Sequence, residues 1–163
     1  MVYRIYCGIL CLVATCAGGC GLTKTVIAPK ASVDTVSVVS ETDEGARLKM
    51  VVILENANAV ALPLKRVDYR LVVEGVGSFT FRDDPNRILP GARQVKQGET
   101  AKQELHLFAG IETDGATIRG KPYKASGTVT YEPPGEIRKL LTDSYVPLPI
   151  TSFFGSGTLR TKQ

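Results

Sequence analysis

Residues 47–74 read RLKMVVILENANAVALPLKRVDYRLVVE, two runs of alternating apolar side chains separated by an asparagine-rich break. A period of two places alternate side chains on one face of a β-strand, so each run predicts a strand with one buried face. Asn tolerates left-handed backbone and hydrogen-bonds its own turn, which predicts a break between the two strands. The side chains predicted to face the core are Leu48, Met50, Val52 and Leu54 in the first strand and Val67, Tyr69, Leu71 and Val73 in the second.

Shorter strands extend this pattern in both directions. Val-rich residues 32–40 and the polar turn 41–45 precede the first run, which together predict an antiparallel hairpin. About seven short strands at roughly ten-residue spacing are typical of a β-sandwich, and the sequence predicts an all-β fold of that kind. The remaining strands are predicted at residues 78–81, 104–108, 126–131 and 158–160, with an edge segment at 88–97.

One late segment departs from the period of two. In residues 135–143, GEIRKLLTD, the apolar side chains Ile137, Leu140 and Leu141 have helical spacing. Prolines flank this segment on both sides. It therefore predicts one short helix inside an insertion.

The first twenty residues have the order of a secretory signal. Arg4 precedes an apolar run at residues 5–14, and small residues follow. The run is shorter than the roughly 20 apolar residues of a membrane-spanning helix, and glycines follow it, which favours cleavage. Residues 17–20, AGGC, resemble the lipobox of bacterial lipoproteins, where a peptidase cleaves before a cysteine that has been diacylated on its sulfur. The resemblance implies a signal peptide at residues 1–19 and lipid attachment at Cys20, although the family usually has Leu where Ala17 stands.

Two other interpretations of this segment stay open: an ordinary secretory signal cut near the same place, and a short uncleaved anchor. The other three cysteines lie inside the signal at positions 7, 11 and 16. No cysteine follows Cys20, so no disulfide framework is expected in the folded part. We expect residues 20–30 to be the lipidated cysteine and a tether, and residues 31–163 to be the sandwich domain.

Length and charge limit the classes of function. The chain has 163 residues, 44% of them hydrophobic and 22% charged, which suits one globular domain. Its 20 basic and 16 acidic residues leave a net charge of +4 that is spread evenly, so we expect no nucleic-acid partner. The single His and the absence of Trp leave little for the common catalytic constellations.

A family resemblance centres on residues 56–75, NANAVALPLKRVDYRLVVEG. This stretch resembles the type 2 late-embryogenesis-abundant family, or water-stress and hypersensitive-response domain. The resemblance extends over about residues 31–159; Ala57 replaces the family's Pro, and the insertion at 133–149 is longer than usual. It implies a seven-stranded immunoglobulin-like or fibronectin-like sandwich, associated with desiccation and other stress, without established catalytic activity. The matching motif residues, expected to be structural, are Asn56, Asn58, Leu62, Pro63, Leu64, Tyr69 and Gly75.

Candidate sites are few. His106 lies between Leu105 and Leu107 and is expected on the solvated face of a strand, without a second ligand at metal-binding spacing. The acidic turn at residues 83–86 lacks the alternating ligands of a calcium loop. We therefore predict no catalytic, cofactor-binding or metal-binding residue. Two basic pairs, at 65–66 and 138–139, are candidates to face anionic headgroups, with solvated charges as the alternative.

Adjacent aromatics at Phe153 and Phe154 should point to opposite faces of a strand, leaving one of them exposed. Such a side chain could form part of an apolar contact patch, although packing beneath the insertion is the favoured interpretation.

Together these features predict a non-enzymatic, stress-associated binding or stabilising domain, held on the extracytoplasmic side of a bacterial envelope by acylated Cys20. The residue after the cysteine is Gly21, not the Asp that retains enterobacterial lipoproteins in the inner membrane, so we expect the outer membrane, facing the periplasm. Two alternatives stay open: a lipid-binding or lipid-transfer module with a groove between the sheets or under the helix, and an adaptor subunit of an envelope complex that pairs through a sheet edge.

Overall fold

A computed structural model describes residues 26–94, 101–113, 115 and 117–161, which form nine strands and one α-helix. A short 3₁₀ turn at Ala92–Gln94 follows the fifth strand. The elements are β1 (Lys30–Glu41), β2 (Gly45–Asn56), β3 (Leu62–Val73), β4 (Gly77–Asp83), β5 (Arg87–Leu89), β6 (Ala101–Glu112), β7 (Pro122–Tyr131), α1 (Gly135–Asp143), β8 (Ile150–Thr158) and β9 (Arg160–Thr161).

The strands form two sheets. The first has the order β6, β2, β1, β9, in which β1 and β6 run antiparallel to β2 and the short β9 runs parallel to β1. The second has the order β4, β3, β7, β8, all antiparallel, and β5 pairs with the beginning of β3. β1 and β8 also contact each other, which joins one side of the first sheet to the second.

The core lies between the sheets because alternate side chains of each strand point inward. All eight side chains predicted to face the core from β2 and β3 are buried. Other strands of the two sheets contribute further buried side chains. Phe153 of β8 is the largest side chain that is almost completely buried. Other members of the core are Val36, Val38, Leu105, Leu107, Ile111, Ala125, Val129 and Leu159.

The all-β sandwich with one short helix is confirmed. The predicted hairpin of β1 and β2 is present, and α1 has the bounds that the helical spacing predicted. The described residues form nine strands, whereas about seven were expected. Two of the nine, β5 and β9, are very short and contain only three and two residues. The predicted edge segment at 88–97 corresponds to β5 and the 3₁₀ turn, and its residues 95–97 lie outside the described part.

The end of the chain differs from the prediction. The sequence predicts a single short strand at residues 158–160, whereas β8 begins already at Ile150 and ends at Thr158, and β9 begins at Arg160 in the other sheet. Leu159 between them is buried, 2% exposed, and its N–H donates to the carbonyl of Lys121 at 3.0 Å. The chain therefore crosses from the second sheet to the first around one buried leucine.

Candidate functional site

Several chain segments meet at one end of the sandwich, which we call the proximal end. Here β1 begins at Lys30, opposite Glu55 near the end of β2. In the second sheet, the beginning of β3 lies beside the end of β7, since Leu64 is opposite Tyr131. The loop from β2 to β3, strand β5, α1 and the beginning of β8 are consequently at this same end.

Asn56 and Asn58 form the centre of the proximal end, and both are buried, at 0% and 7% exposure. The Asn56 Nδ2 group donates to the carbonyls of Val60 and Pro90, each at 2.9 Å. Its Oδ1 accepts from the backbone N–H of Asn58 at 2.9 Å and from the Asn58 Nδ2 at 2.7 Å. The Asn56 amide thus hydrogen-bonds backbone groups of the loop between β2 and β3 and attaches this loop to the segment after β5.

Asn58 fixes the residues that precede β1. The Ile27 N–H donates to the Asn58 Oδ1 at 2.8 Å, and the Asn58 Nδ2 donates to the Ile27 carbonyl at 2.7 Å. The Thr151 hydroxyl of β8 donates to the carbonyl of Pro29 at 2.7 Å. The last residues of the expected tether are therefore held against the domain, and the chain reaches the sandwich at the proximal end.

The other motif residues lie along β3 and its following turn. Leu62 and Leu64 are buried in the core, whereas Pro63 between them is half-buried opposite the exposed Ile88. Gly75 has a φ of +70°, a left-handed conformation that favours glycine in the turn before β4. Leu62, Pro63 and Leu64 thus serve packing at the proximal end, and Gly75 serves a turn at the opposite end.

Tyr69 connects the two sheets. Its hydroxyl donates to the carbonyl of Phe108 in β6 at 3.0 Å, and its ring stacks on Phe81 with the centroids 5.1 Å apart. Burial, followed by the nearby Asp83 carboxylate, raises the pKa of the Tyr69 phenol to about 12. Tyr69 is therefore a neutral hydrogen-bond donor at neutral pH, in a structural position.

The helix in the insertion is attached to the sandwich by a buried carboxylate. Glu132, directly after β7, pairs with Lys65 at 2.9 Å and with Arg138 of α1. The Glu132 N–H donates to the carbonyl of Pro63 at 2.8 Å, and the Tyr131 N–H donates to that of Pro149 at 3.1 Å. The base of the insertion and one side of α1 are consequently fixed, although no residue of α1 is itself buried.

Exposed apolar side chains are concentrated at the proximal end. Ten large apolar side chains of the described residues are exposed, and seven of them are at this end. Four come from the insertion and the first residue of β8, and we call them the proximal apolar surface: Leu140, Tyr145, Val146 and Ile150, at 64%, 95%, 49% and 55% exposure. The other three are Ile27, Val60 and Ile88.

The aromatic pair in β8 points to opposite faces as predicted, but the expectation that the outward side chain packs beneath the insertion is wrong. Phe153 is 1% exposed in the core, and Phe154 is 83% exposed on the outer face of the second sheet. Since alternate residues of a strand share a face, Phe154 lies on the same face as Ile150. The exposure of Tyr145 and Val146 was not anticipated, although their position directly after an amphipathic helix was a signal for it.

The candidate ligands and headgroup contacts occupy ordinary structural positions. His106 is half-exposed, with its Nε2 3.0 Å from the Glu104 carboxylate. Lys65 and Arg138 both turn to Glu132, and Arg66 pairs with Asp68 at 2.8 Å. Within the described part of the chain, no group of three or more His, Cys, Asp or Glu side chains is placed to hold a metal ion.

The acidic turn at 83–86 contains Asn86 with a φ of +41°, a left-handed backbone conformation that Asn tolerates in turns.

The predicted lipid-attachment residue, Cys20, lies outside the described residues, as does the whole predicted signal. Among the residues that are described, no helix is long and apolar enough to cross a membrane.

Comparisons with known proteins concern the fold. The solution structure of an Arabidopsis protein described as a late embryogenesis abundant protein has a TM-score of 0.52 and 18% identity, covering 82% of this chain and 72% of that one. A crystal structure of a protein from Archaeoglobus fulgidus has a TM-score of 0.46 and 11% identity, covering 85% and 99%. A second Arabidopsis thaliana solution structure has a TM-score of 0.44 and 16% identity, covering 85% and 87%.

No family model and no curated protein matches the sequence. The first of the three structures shows that the chain has a late-embryogenesis-abundant-like fold, which confirms at the level of fold the resemblance found around Asn56 and Asn58.

Proposed function

We propose that this chain is a lipoprotein of a bacterial envelope, anchored by acylated Cys20 on the extracytoplasmic side and facing the periplasm from the outer membrane. Residues 1–19 would be removed as the signal. The observation that carries the anchor is the sequence AGGC at 17–20, at the end of an apolar run too short to span a bilayer. Acyl chains contribute about 0.8 kcal/mol per buried methylene, so two or more chains hold a domain of this size at a membrane.

We further infer that the sandwich acts without catalysis, as a stress-associated binding or stabilising domain. The late-embryogenesis-abundant-like fold supports this interpretation. The buried polar groups of the proximal end also support it, because Asn56, Asn58 and Glu132 all serve packing and attachment of chain segments. The exposed apolar side chains at this end, Leu140, Tyr145, Val146 and Ile150, suit binding.

The anchor is tested by expressing the full chain in a bacterial host and measuring the mass of its mature N-terminus. We expect the chain to begin at Cys20 with diacylglycerol and a further acyl chain attached. Cys20→Ser should move the protein out of the membrane fraction or leave it unprocessed, whereas Cys16→Ser, a matched change inside the signal, should leave the lipid mass intact. An unlipidated mature N-terminus in the wild type would contradict the anchor.

The stabilising role is tested by drying vesicles that carry the lipidated chain together with lactate dehydrogenase, then rehydrating them. We expect more enzyme activity to survive than with vesicles that carry an unrelated lipoprotein at the same density. Equal survival would contradict this role. Mass spectrometry of the purified protein distinguishes the lipid-transfer alternative, which requires a lipid to copurify besides the one attached to Cys20.

A further inference from the structure

We propose that the proximal apolar surface, Leu140, Tyr145, Val146 and Ile150, rests on the lipid bilayer in which the chain itself is anchored. The inference deepens the proposed function and rests on it, because it requires the lipid on Cys20. It assigns the partner of this surface, the hydrocarbon and headgroup boundary of the same membrane, and it gives the domain one preferred orientation there.

The first argument is the reach of the chain. Cys20 is six residues before Val26, and six extended residues span at most about 21 Å. Ile27 is fixed to Asn58 at the proximal end, so this end cannot move farther from the membrane than that tether allows. Strand β2 has 12 residues and extends about 37 Å to the opposite end of the sandwich. The anchor therefore keeps the proximal end within reach of the lipid, whereas the opposite end can lie much farther away.

The second argument is the chemistry of the surface. α1 is a nine-residue amphipathic helix with no buried residue, and Leu140 on its apolar side is 64% exposed. Helices of this character bind in the plane of a membrane interface, with the apolar side toward the acyl chains. Tyr145, at 95% exposure, has the amphipathic ring that is enriched at the headgroup level. Val146 and Ile150 extend the apolar area toward the edge strand.

The third argument is that the surface has a fixed position. The pairing of Glu132 with Arg138 holds one side of α1, and the Val146 N–H donates to the Leu141 carbonyl at 2.9 Å, which closes the end of the helix. The exposed side chains are thus presented by a braced segment. A tether makes contact with the membrane intramolecular, so even a weak apolar contact becomes populated at the high local concentration.

Site-directed spin labelling of the full, lipidated chain tests the proposal in vesicles of phosphatidylethanolamine and phosphatidylglycerol. The mature chain has no cysteine besides the acylated one, so Tyr145→Cys and Asp43→Cys each supply a single thiol for a nitroxide. Asp43 lies in the exposed turn after β1, at the opposite end. We expect the ratio of oxygen to nickel-complex accessibility to be about tenfold higher at 145 than at 43, because oxygen enters the hydrocarbon whereas the polar nickel complex is excluded from it.

Matched substitutions identify the side chains responsible. Val146→Ser in the Tyr145→Cys background should lower the accessibility ratio at the label, because it removes apolar area from the contact. Val39→Ser, at 42% exposure on β1 and away from the proximal end, should leave the ratio unchanged. Equal effects of the two changes would overturn the assignment of this surface.

The outcomes separate the two proposals. A lipidated N-terminus with equal ratios at 145 and 43 overturns the membrane contact and leaves the anchor standing. An unlipidated N-terminus overturns the anchor, and the membrane contact falls with it. A label at 145 that is shielded from both oxygen and the nickel complex means that a protein, either a second copy or another partner, covers the surface, which also overturns the proposal.

Discussion

Replacing Asn56 by Ala should strongly destabilise the sandwich, because four hydrogen bonds depend on this one buried amide. The change leaves the carbonyls of Val60 and Pro90 and two N–H donors of Asn58 without their partner. Each hydrogen bond contributes a net 0.5–1.5 kcal/mol or so, and a buried group left unsatisfied costs about 1–3 kcal/mol. Because the loop lies at the end of the sandwich, water can reach some of these groups, and we expect a loss of about 3–4 kcal/mol.

Urea unfolding followed by circular dichroism measures this loss. With a slope of about 1.5–2 kcal/mol/M, a loss of 3 kcal/mol lowers the urea midpoint by about 1.5–2 M. The matched control is Asn86→Gly, since Asn86 is exposed and its positive φ suits glycine. That change should alter the free energy of unfolding by no more than about 0.5 kcal/mol.

Asn58→Ala gives a second, independent measurement. It should release the backbone of Ile27 and increase hydrogen exchange at that amide, while β2 and β3 keep their protection. The effects of the two substitutions should not add, because the Asn58 Nδ2 donates to the Asn56 Oδ1 and both single changes remove that bond. A loss below about 1 kcal/mol for Asn56→Ala, or strictly additive losses, would refute the view that the pair acts as one buried unit.

Three further predictions concern packing, ionisation and the turn. Gly127→Ala should destabilise by about 1–3 kcal/mol in urea unfolding, because a Cβ there would overlap the Phe153 ring, whereas Gly110→Ala in β6, where a Cβ meets nothing within 4 Å, should be neutral or slightly stabilising. The pKa of Tyr69 is about 12 in the folded protein and 10 in the unfolded chain, so the stability that its neutral phenol contributes is complete below pH 10 and is lost as the pH rises toward 12. Tyr69→Phe should remove roughly 2–3 kcal/mol of this decline in unfolding free energy. An unchanged decline would contradict the raised pKa of Tyr69. Ala57→Pro should raise the unfolding free energy by about 0.4–1 kcal/mol, because proline restricts the unfolded chain and the preceding Asn56 ends β2 in the extended backbone that proline requires before it; a lower midpoint would show that proline does not fit this turn.

The sequence predicted what depends on local periodicity. The buried faces of β2 and β3 follow from alternation, and the bounds of α1 follow from the spacing of Ile137, Leu140 and Leu141. The role of the Asn56 and Asn58 side chains in satisfying local backbone could also be anticipated from their chemistry. These features are encoded within about ten neighbouring residues, which is the range over which patterns of hydrophobicity and turn residues carry information.

Features that join distant segments could not be derived in this way. The hydrogen bond from Thr151 to Pro29 connects residues 122 apart in the chain, and Glu132 meets Lys65 from another strand. The crossing of the chain at Leu159 depends on a buried position between two sheets, which alternation alone does not distinguish from a continuous strand. The proximal apolar surface likewise becomes apparent only when the packing leaves Leu140 uncovered.

The basic residues at the proximal end illustrate how such packing changes a functional interpretation. The sequence suggested two basic pairs as contacts for anionic headgroups. Three of these four residues are paired within the protein, since Lys65 and Arg138 contact Glu132 and Arg66 contacts Asp68, whereas Lys139 is exposed. Charges already paired within the protein attract a screened surface weakly, and only within about 8 Å at physiological salt. In the membrane contact that we propose, burial of apolar side chains should therefore contribute more than attraction by these paired charges. The buried Glu132 carboxylate would favour this contact in two ways. It pairs with the cations of Lys65 and Arg138, and it holds the helix that presents the apolar side chains.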